Sequence, residues 1–165
     1  MTKEDLQRFC STDETRPNLL EPWSQGDFSY AADGYTMIIR VPRLSNVEEN
    51  PVAPNAAELF ERFTDNMREF FQIPELQPRE IRTCPVCAGK LIFEGDPCET
   101  CIDEETPGKI ERIVRVQIRE ALFNRNYLER LKSLPGVLIG PKGPEDPAWI
   151  KFDGGDGLIM PIRKD

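Results

Sequence analysis

The chain contains no histidine among its 165 residues. This absence excludes Ser-His-Asp and Cys-His nucleophile systems, a histidine general base and catalytic zinc bound by imidazole. Carboxylate or lysine chemistry stays open in principle, but the sequence has no arrangement typical of it. We therefore expect a protein that is not an enzyme, and a hydrolase or nuclease is the weakest alternative.

The sequence also lacks long apolar runs. None approaches the roughly 20 residues that cross a bilayer, and no basic segment followed by an apolar one opens the chain. A hydrophobic fraction of 39% and a charged fraction of 30% are typical of a soluble globular protein, and the length suits one domain with a single addition. We expect a cytoplasmic protein without a membrane partner.

The net charge of −8 argues against a protein that coats nucleic acid non-specifically. The charge is uneven along the chain. Residues 109–132 contain seven basic and three acidic side chains, whereas residues 84–105 contain six acidic side chains and one lysine. The acidic segment should be repelled by phosphate, so it is not expected to contact DNA.

Four of the five cysteines form two closely spaced pairs, CPVC at Cys84 and Cys87 and CETC at Cys98 and Cys101. The ten residues between the pairs allow a hairpin that brings four thiolates around one ion. Four sulfur ligands in tetrahedral geometry suit Zn²⁺ and leave no position for water or substrate, which predicts a structural zinc site. A redox role for either pair, or a set of disulfides, is the alternative. Cys10 is expected to pack in the core.

Hydrophobic periodicity predicts an α+β fold with helices packed on an antiparallel sheet. The predicted helices cover residues 3–10, residues 56–71 and a segment capped by Asn124. The predicted strands cover residues 27–31, 35–41, 109–119, 137–139, 149–152 and 158–162. Asp33-Gly34 is a strong turn signal between the first two strands, which predicts a hairpin.

Three strings in the sequence resemble parts of one protein family. They are FSYAADGYTMIIRV at residues 28–41, VRVQIREALFNRNYLERL at 114–131 and DGLIMPIR at 156–163. The first resembles the strand with an "ATDGHRLA"-type segment in the bacterial sliding clamp, the DNA polymerase III beta subunit. The second resembles the strand and "FN…Y…L" helix of clamp domains, and the third resembles the closing "YVVMPMR" string.

The resemblance implies a discontinuous clamp-like domain of residues 1–44 and 109–165. Residues 45–108 have no counterpart in the family and are predicted to be an insertion, with the helix at 56–71 and the zinc hairpin at 84–101. A clamp ring contains six such domains and this chain holds one. It therefore forms a homo-oligomer or acts as a monomer that contacts a replication protein. Small chains with an added module resemble bacteriophage accessory proteins, which act in the host cytoplasm.

In the clamp family, helices present basic residues to the duplex. By resemblance the candidates are Arg8, Arg125, Arg130 and Lys132 on helices, with Arg112, Arg115 and Arg119 as a rival stripe on a strand; a solvated helix face is the alternative. The sequence thus predicts a clamp-like accessory protein in DNA replication or repair that contacts duplex DNA phosphates or a replication protein. The alternative is an acidic zinc-stabilised interaction module, an adaptor or inhibitor of a host protein that does not bind DNA.

Overall fold

The computed structural model describes residues 1–63, 68–101 and 107–163. Its helices are α1 (Lys3–Gln7), α2 (Ala56–Arg62) and α3 (Arg125–Lys132), with short 3₁₀ turns at Pro17–Leu19 and Glu99–Cys101. Its strands are β1 (Trp23–Gln25), β2 (Phe28–Ala32), β3 (Met37–Pro42), β4 (Phe71–Gln72), β5 (Glu80–Thr83), β6 (Ile92–Phe93), β7 (Asp96–Pro97), β8 (Lys109–Arg112), β9 (Arg115–Ile118), β10 (Ala121–Asn124), β11 (Leu138–Gly140), β12 (Ala148–Phe152) and β13 (Gly155–Ile159).

Within the described residues, seven strands form one sheet in the order β1-β2-β3-β13-β12-β11-β4. Every neighbouring pair in this sheet is antiparallel. The three helices are short by comparison. The predicted mixture of helices with a mostly antiparallel sheet is therefore confirmed. No helix in the described ranges has the length and apolar character needed to pass through a bilayer.

The hairpin between β2 and β3 follows from its turn residues. Asp33 Oδ1 accepts backbone N–H bonds from Tyr35, Thr36 and Met37, at 2.8 to 3.0 Å. Gly34 adopts φ +83°, which glycine reaches without the steric cost of a side chain. The hairpin predicted from Asp33-Gly34 is confirmed, and its strands pair from Phe28 opposite Pro42 to Ala32 opposite Ile38.

Two apolar cores form on the two faces of the sheet. Consecutive strand residues alternate between them: Ile39 and Ile150 join one core, while Ile38 and Trp149 join the other. The first core contains residues of α1 and α3, such as Leu6, Leu128 and Leu131. The second contains Phe60 of α2 together with Trp23, Tyr30 and Leu158. The sheet is thus covered by helices on both faces.

The helix predicted at residues 56–71 is shorter than expected. It ends at Arg62, residues 64–67 of the prediction lie outside the described residues, and Phe71–Gln72 forms strand β4. Phe71 pairs with Ile139 and Gln72 with Leu138. Helical spacing of the phenylalanines predicted the wrong element at this end. Phe71 and Gln72 pair with β11 at the edge of the sheet, and this pairing determines the local backbone conformation.

The single strand predicted at residues 109–119 is also wrong. It is divided into β8, which pairs with β5, and β9, which pairs with β10. Ile110 packs against the cysteine cluster, whereas Val116 packs against the main core. Apolar residues alternate through both β8 and β9, because β8 packs against the cysteine cluster and β9 packs against the main core. The sequence pattern therefore did not show where one strand ends and the next begins.

Part of the predicted insertion at residues 45–108 packs with the main sheet, through Phe60 of α2 and through β4. The cysteines lie in a smaller unit made of β5, β6, β7 and β8. We call residues 80–101 and 107–112 the metal lobe. The division into a clamp-like domain and an insertion stays a prediction.

Candidate metal centre and apolar pocket

The first cysteine pair is held at the end of β5. The Cys84 N–H donates to Gly108 O at 2.9 Å, which ties the pair to the start of β8. The Lys90 N–H donates to Cys87 O at 2.9 Å and closes the turn after the second thiol. Gly89 adopts φ +80° within that turn. The sequence CPVCAGK therefore folds into a tight loop with both thiols on its inner side.

The second pair follows the β6–β7 hairpin. Glu94 and Gly95 adopt φ +53° and +96°, as a two-residue turn matched to strand twist requires. The Cys98 N–H donates to Leu91 O at 2.8 Å, and Cys98 and Cys101 are joined by a 3₁₀ turn. The hairpin returns the chain so that the second pair faces the first.

The four thiols form one cluster. The sulfur atoms of Cys84, Cys87, Cys98 and Cys101 all lie within 4.8 Å of one another. The Sγ–Sγ distances are 3.9 Å for Cys84–Cys98 and 3.4 Å for Cys87–Cys101. Sulfurs about 2.3 Å from a tetrahedral ion would be about 3.8 Å apart. The cluster is therefore positioned to hold a metal ion, as the cysteine spacing predicted.

The cluster is buried and its thiols are separate. None of the four cysteines is more than 4% exposed. All five cysteines lie in the described residues and none forms a disulfide, since a disulfide needs sulfurs about 2.05 Å apart. Buried thiolates need a nearby cation to offset the loss of hydration. The site therefore has the environment of an ion-binding cluster.

The thiols of the cluster differ in acidity. Burial raises the pKa of the Cys101 thiol to about 12, and the neighbouring thiols act in the same direction. Burial also tends to raise the pKa of the Cys87 thiol, but hydrogen bonds from the Cys101 thiol and the Leu91 N–H outweigh it and lower the pKa to about 6. Of these two thiols, Cys87 therefore loses its proton more easily, and a bound cation must displace the proton of Cys101.

The metal lobe has almost no apolar core of its own. In its described residues, the buried apolar cluster consists of the four cysteines, with Ile110 partly buried against them. The other large apolar side chains of the lobe are exposed: Ile81, Val86, Leu91, Ile92 and Phe93. The lobe therefore depends on the sulfur cluster for its stability.

An ion-pair network joins the metal lobe to α3. Arg79, just before β5, pairs with Glu129 at 3.0 Å and lies 3.8 Å from Glu111. Arg125 also pairs with Glu129, at 2.7 and 3.1 Å, and its Nε donates to Gln77 O. Hydrogen bonds from Arg125 and Arg79 lower the pKa of Glu129 to about 2. One carboxylate thus bridges α3 and the segment that leads into the lobe.

Three of the four DNA contacts predicted on helices, Arg125, Arg130 and Lys132, have internal partners, whereas the Arg8 side chain is exposed at the end of α1. Arg125 is only 6% exposed and is engaged by Glu129 and Gln77, which removes it from the side chains that a phosphate can reach. Arg130 donates to Arg8 O and lies over the rings of Phe9 and Tyr127. Lys132 Nζ donates to Pro74 O at 3.4 Å.

The predicted contacts on the strand do not form one stripe. Arg112 and Arg115 line a groove together with Arg82. Arg112 pairs with Glu80 at 3.2 Å. Arg119 lines a different cavity, pairs with Glu69 at 2.7 Å and lies over the Phe71 ring. DNA contact by any of these residues stays a prediction.

Sequence reasoning missed an apolar pocket of about 320 Å³. It is lined by segments far apart in the chain, including Trp23, Ile38, Leu59, Phe63, Leu158 and Met160. The Trp23 side chain is 1% exposed, and its Nε1–H has no hydrogen-bond partner among the described residues. By contrast, Trp149 Nε1–H donates to Phe63 O at 2.8 Å. Local periodicity contains no signal for such a pocket, because only folding brings its walls together.

Comparison with known proteins adds no relative. No family model, curated protein or solved structure matches the chain. The cysteine cluster, the apolar pocket and the charges around them are therefore the features from which we infer a function.

Proposed function

We propose that this protein is a non-enzymatic accessory protein that binds an extended apolar segment of a partner protein in the apolar pocket. Its core is clamp-like and the partner is a replication protein, as the sliding-clamp resemblance implies. The observation that carries the proposal is the pocket itself, whose walls include the apolar residues Trp23, Leu158 and Met160. Assembly of several copies into a ring stays a prediction.

The chemistry of the pocket suits a peptide. Its volume of about 320 Å³ is at the lower end of the range of about 300–1,000 Å³ for ligand sites. An extended peptide offers a carbonyl oxygen at every residue together with apolar side chains. The apolar side chains of such a peptide can therefore cover the apolar walls of the pocket.

The pocket also involves one of the strings that carry the resemblance. Leu158 and Met160 belong to DGLIMPIR, and both line the pocket. Met160 is 39% exposed at the rim and Leu59 is 37% exposed. Exposed apolar side chains around a concave site are typical of interaction surfaces. This arrangement supports a protein partner for the clamp-like core.

Zinc is the ion that the donor set favours. Four thiolates in a closed tetrahedral arrangement select soft or borderline ions, and filled coordination leaves no site for catalysis. The four cysteines would hold Zn²⁺ as a structural ion that fixes the metal lobe. The ion would offset half of the thiolate charge there and join the two cysteine pairs.

A charged residue in place of Met160, at the rim of the apolar pocket, should weaken peptide binding. We expect a labelled Gly/Ser peptide with two leucines and one phenylalanine to bind the protein, and Met160→Lys to weaken binding at least tenfold because a charge enters the apolar wall. Fluorescence anisotropy measures the affinity. Val52→Lys is the matched control, since Val52 is an exposed apolar residue that does not line the pocket.

The indole signals provide an independent readout. Peptide binding should shift the Nε1–H resonance of Trp23, whereas that of Trp149 keeps its internal acceptor. Equal affinity for a peptide with serine at all three apolar positions, or unchanged binding by Met160→Lys, would contradict the proposed function.

A second candidate function is contact with the phosphates of duplex DNA. One observation favours it: Arg82, Arg112 and Arg115 line the same groove, of about 990 Å³. Glu80 and Glu111 line that groove too, so its net positive charge is small. Contacts of this kind would be independent of sequence and would weaken as salt rises.

A salt series on a labelled duplex tests this second candidate. If the groove binds DNA, Arg112→Ala with Arg115→Ala should reduce the slope of log affinity against log salt by about 2, one for each lost phosphate contact. Arg43→Ala is the control, because Arg43 is an exposed arginine with a carboxylate partner outside the groove. Absence of binding at low salt would exclude the DNA candidate and leave the peptide proposal intact.

A further inference from the structure

The tip of the metal lobe exposes a short apolar run. Leu91, Ile92 and Phe93 are consecutive, and Ile92 and Phe93 are 58% and 45% exposed. None of them joins the buried cluster of the lobe, which consists of the cysteines with Ile110 against them. The fold of the lobe therefore does not require apolar side chains at these positions. We call these three residues the lobe tip.

The backbone holds the lobe tip in one conformation. Leu91 adopts φ +66°, which is uncommon for a residue with a bulky side chain. Its carbonyl accepts the Cys98 N–H, and the Glu94-Gly95 turn closes the hairpin on the other side. A surface that is already ordered loses less conformational entropy when it binds. The tip is therefore presented as a fixed apolar surface.

The charge beside the tip is mostly negative. Glu94, Asp96 and Glu99 are exposed, and Lys90 is the only cation in residues 84–101, all of which the structure describes. Four thiolates around one divalent ion add a charge of about −2. Such a surface repels nucleic acids and anionic lipids. It complements a surface that is cationic and apolar.

We propose that the lobe tip is a second docking surface, which binds a basic protein segment with interspersed apolar residues. This inference goes beyond the proposed function, because the tip and the apolar pocket share no residue and only the tip has acidic residues beside it that favour a basic partner. The apolar side chains of the segment cover Ile92 and Phe93, and its lysines or arginines face Glu94 and Asp96. The protein then joins two partners.

Three labelled twelve-residue peptides test the proposal on the metal-loaded protein: one of lysine and leucine, one of glutamate and leucine, and one of lysine and serine. We expect the Lys/Leu peptide to bind at least tenfold tighter than the other two, because it alone matches both the charge and the apolar surface. Ile92→Ser with Phe93→Ser should weaken that binding at least tenfold. Ile113→Ser is the matched control, since Ile113 is exposed outside the tip.

The outcomes show whether the Lys/Leu peptide binds at the lobe tip or elsewhere on the protein. Elemental analysis should find the same metal content in the tip variant and the wild type, which shows that the lobe stays folded. Equal binding of the Glu/Leu or Lys/Ser peptide would overturn the proposal, and so would undiminished binding by the tip variant. If Met160→Lys abolished binding of the Lys/Leu peptide, the peptide would occupy the apolar pocket. The proposal that the lobe tip is a docking surface would then be rejected.

Discussion

Removal of the metal should unfold the metal lobe and leave the seven-stranded sheet folded. The lobe buries little apart from its four cysteines, so the ion replaces the hydrophobic core that the lobe lacks. Structural zinc contributes on the order of 10 kcal/mol in small metal-dependent domains. Hydrogen exchange before and after treatment with a chelator should show lost protection in β5 to β8 and retained protection in β3, β12 and β13.

Two cysteine variants distinguish the loss of a metal ligand from the general effect of removing a thiol. Cys98→Ser should lower the metal content from one ion per chain and give the same exchange pattern as the chelator. Cys10→Ser should keep the full metal content, because Cys10 is buried in the main core and burial raises its pKa to about 12. An unchanged melting curve after metal removal, or a purified protein without bound metal, would refute the metal site.

Phe60→Ala should destabilise the main fold by about 3–5 kcal/mol, the usual cost of truncating a fully buried phenylalanine. The Phe60 ring meets Trp149 edge-on at 5.6 Å and Tyr30 at 6.0 Å, and the Arg40 guanidinium lies 4.0 Å from its centre. Its loss leaves a cavity where α2 packs on the sheet. Urea unfolding monitored by far-UV circular dichroism measures the change.

The neighbouring residue on α2 provides the matched control. Leu59 lies at the rim of the apolar pocket and is partly exposed. Leu59→Ala should change the free energy of unfolding by less than about 1 kcal/mol, in line with a surface position, yet weaken binding of the apolar peptide. A similar loss of stability in both variants would contradict the placement of Phe60 in the core and of Leu59 at the surface.

The metal cluster could be predicted from the sequence because its geometry is local. Each pair of thiols is separated by two residues, and turn-forming residues such as Gly89 and Gly95 lie between the pairs. The hairpin at Asp33-Gly34 and the helix capped by Asn124 were predictable for the same reason, and both are confirmed. In each case a few neighbouring residues determine the backbone conformation.

The features that sequence reasoning missed depend on distant contacts. Phe71 has helical spacing from Phe60 and Phe63, but its backbone pairs with Ile139. Arg125 belongs to a basic stretch, yet its side chain is buried and donates to the distant Gln77 O. Neither partner can be inferred from charge or periodicity, because the fold selects it from many chemically equivalent residues.

The pairing of β5 with β8 brings the two ends of the metal lobe close together. Glu80 lies directly opposite Arg112, so the chain leaves the body and re-enters it at neighbouring points. Opposed residues in antiparallel strands have Cα atoms about 4.5–5.5 Å apart, a gap that a tight turn can close. A tight turn in place of the chain between Glu80 and Arg112 would therefore keep the two ends of the lobe at the same spacing, and we expect the register of the large sheet to stay unchanged.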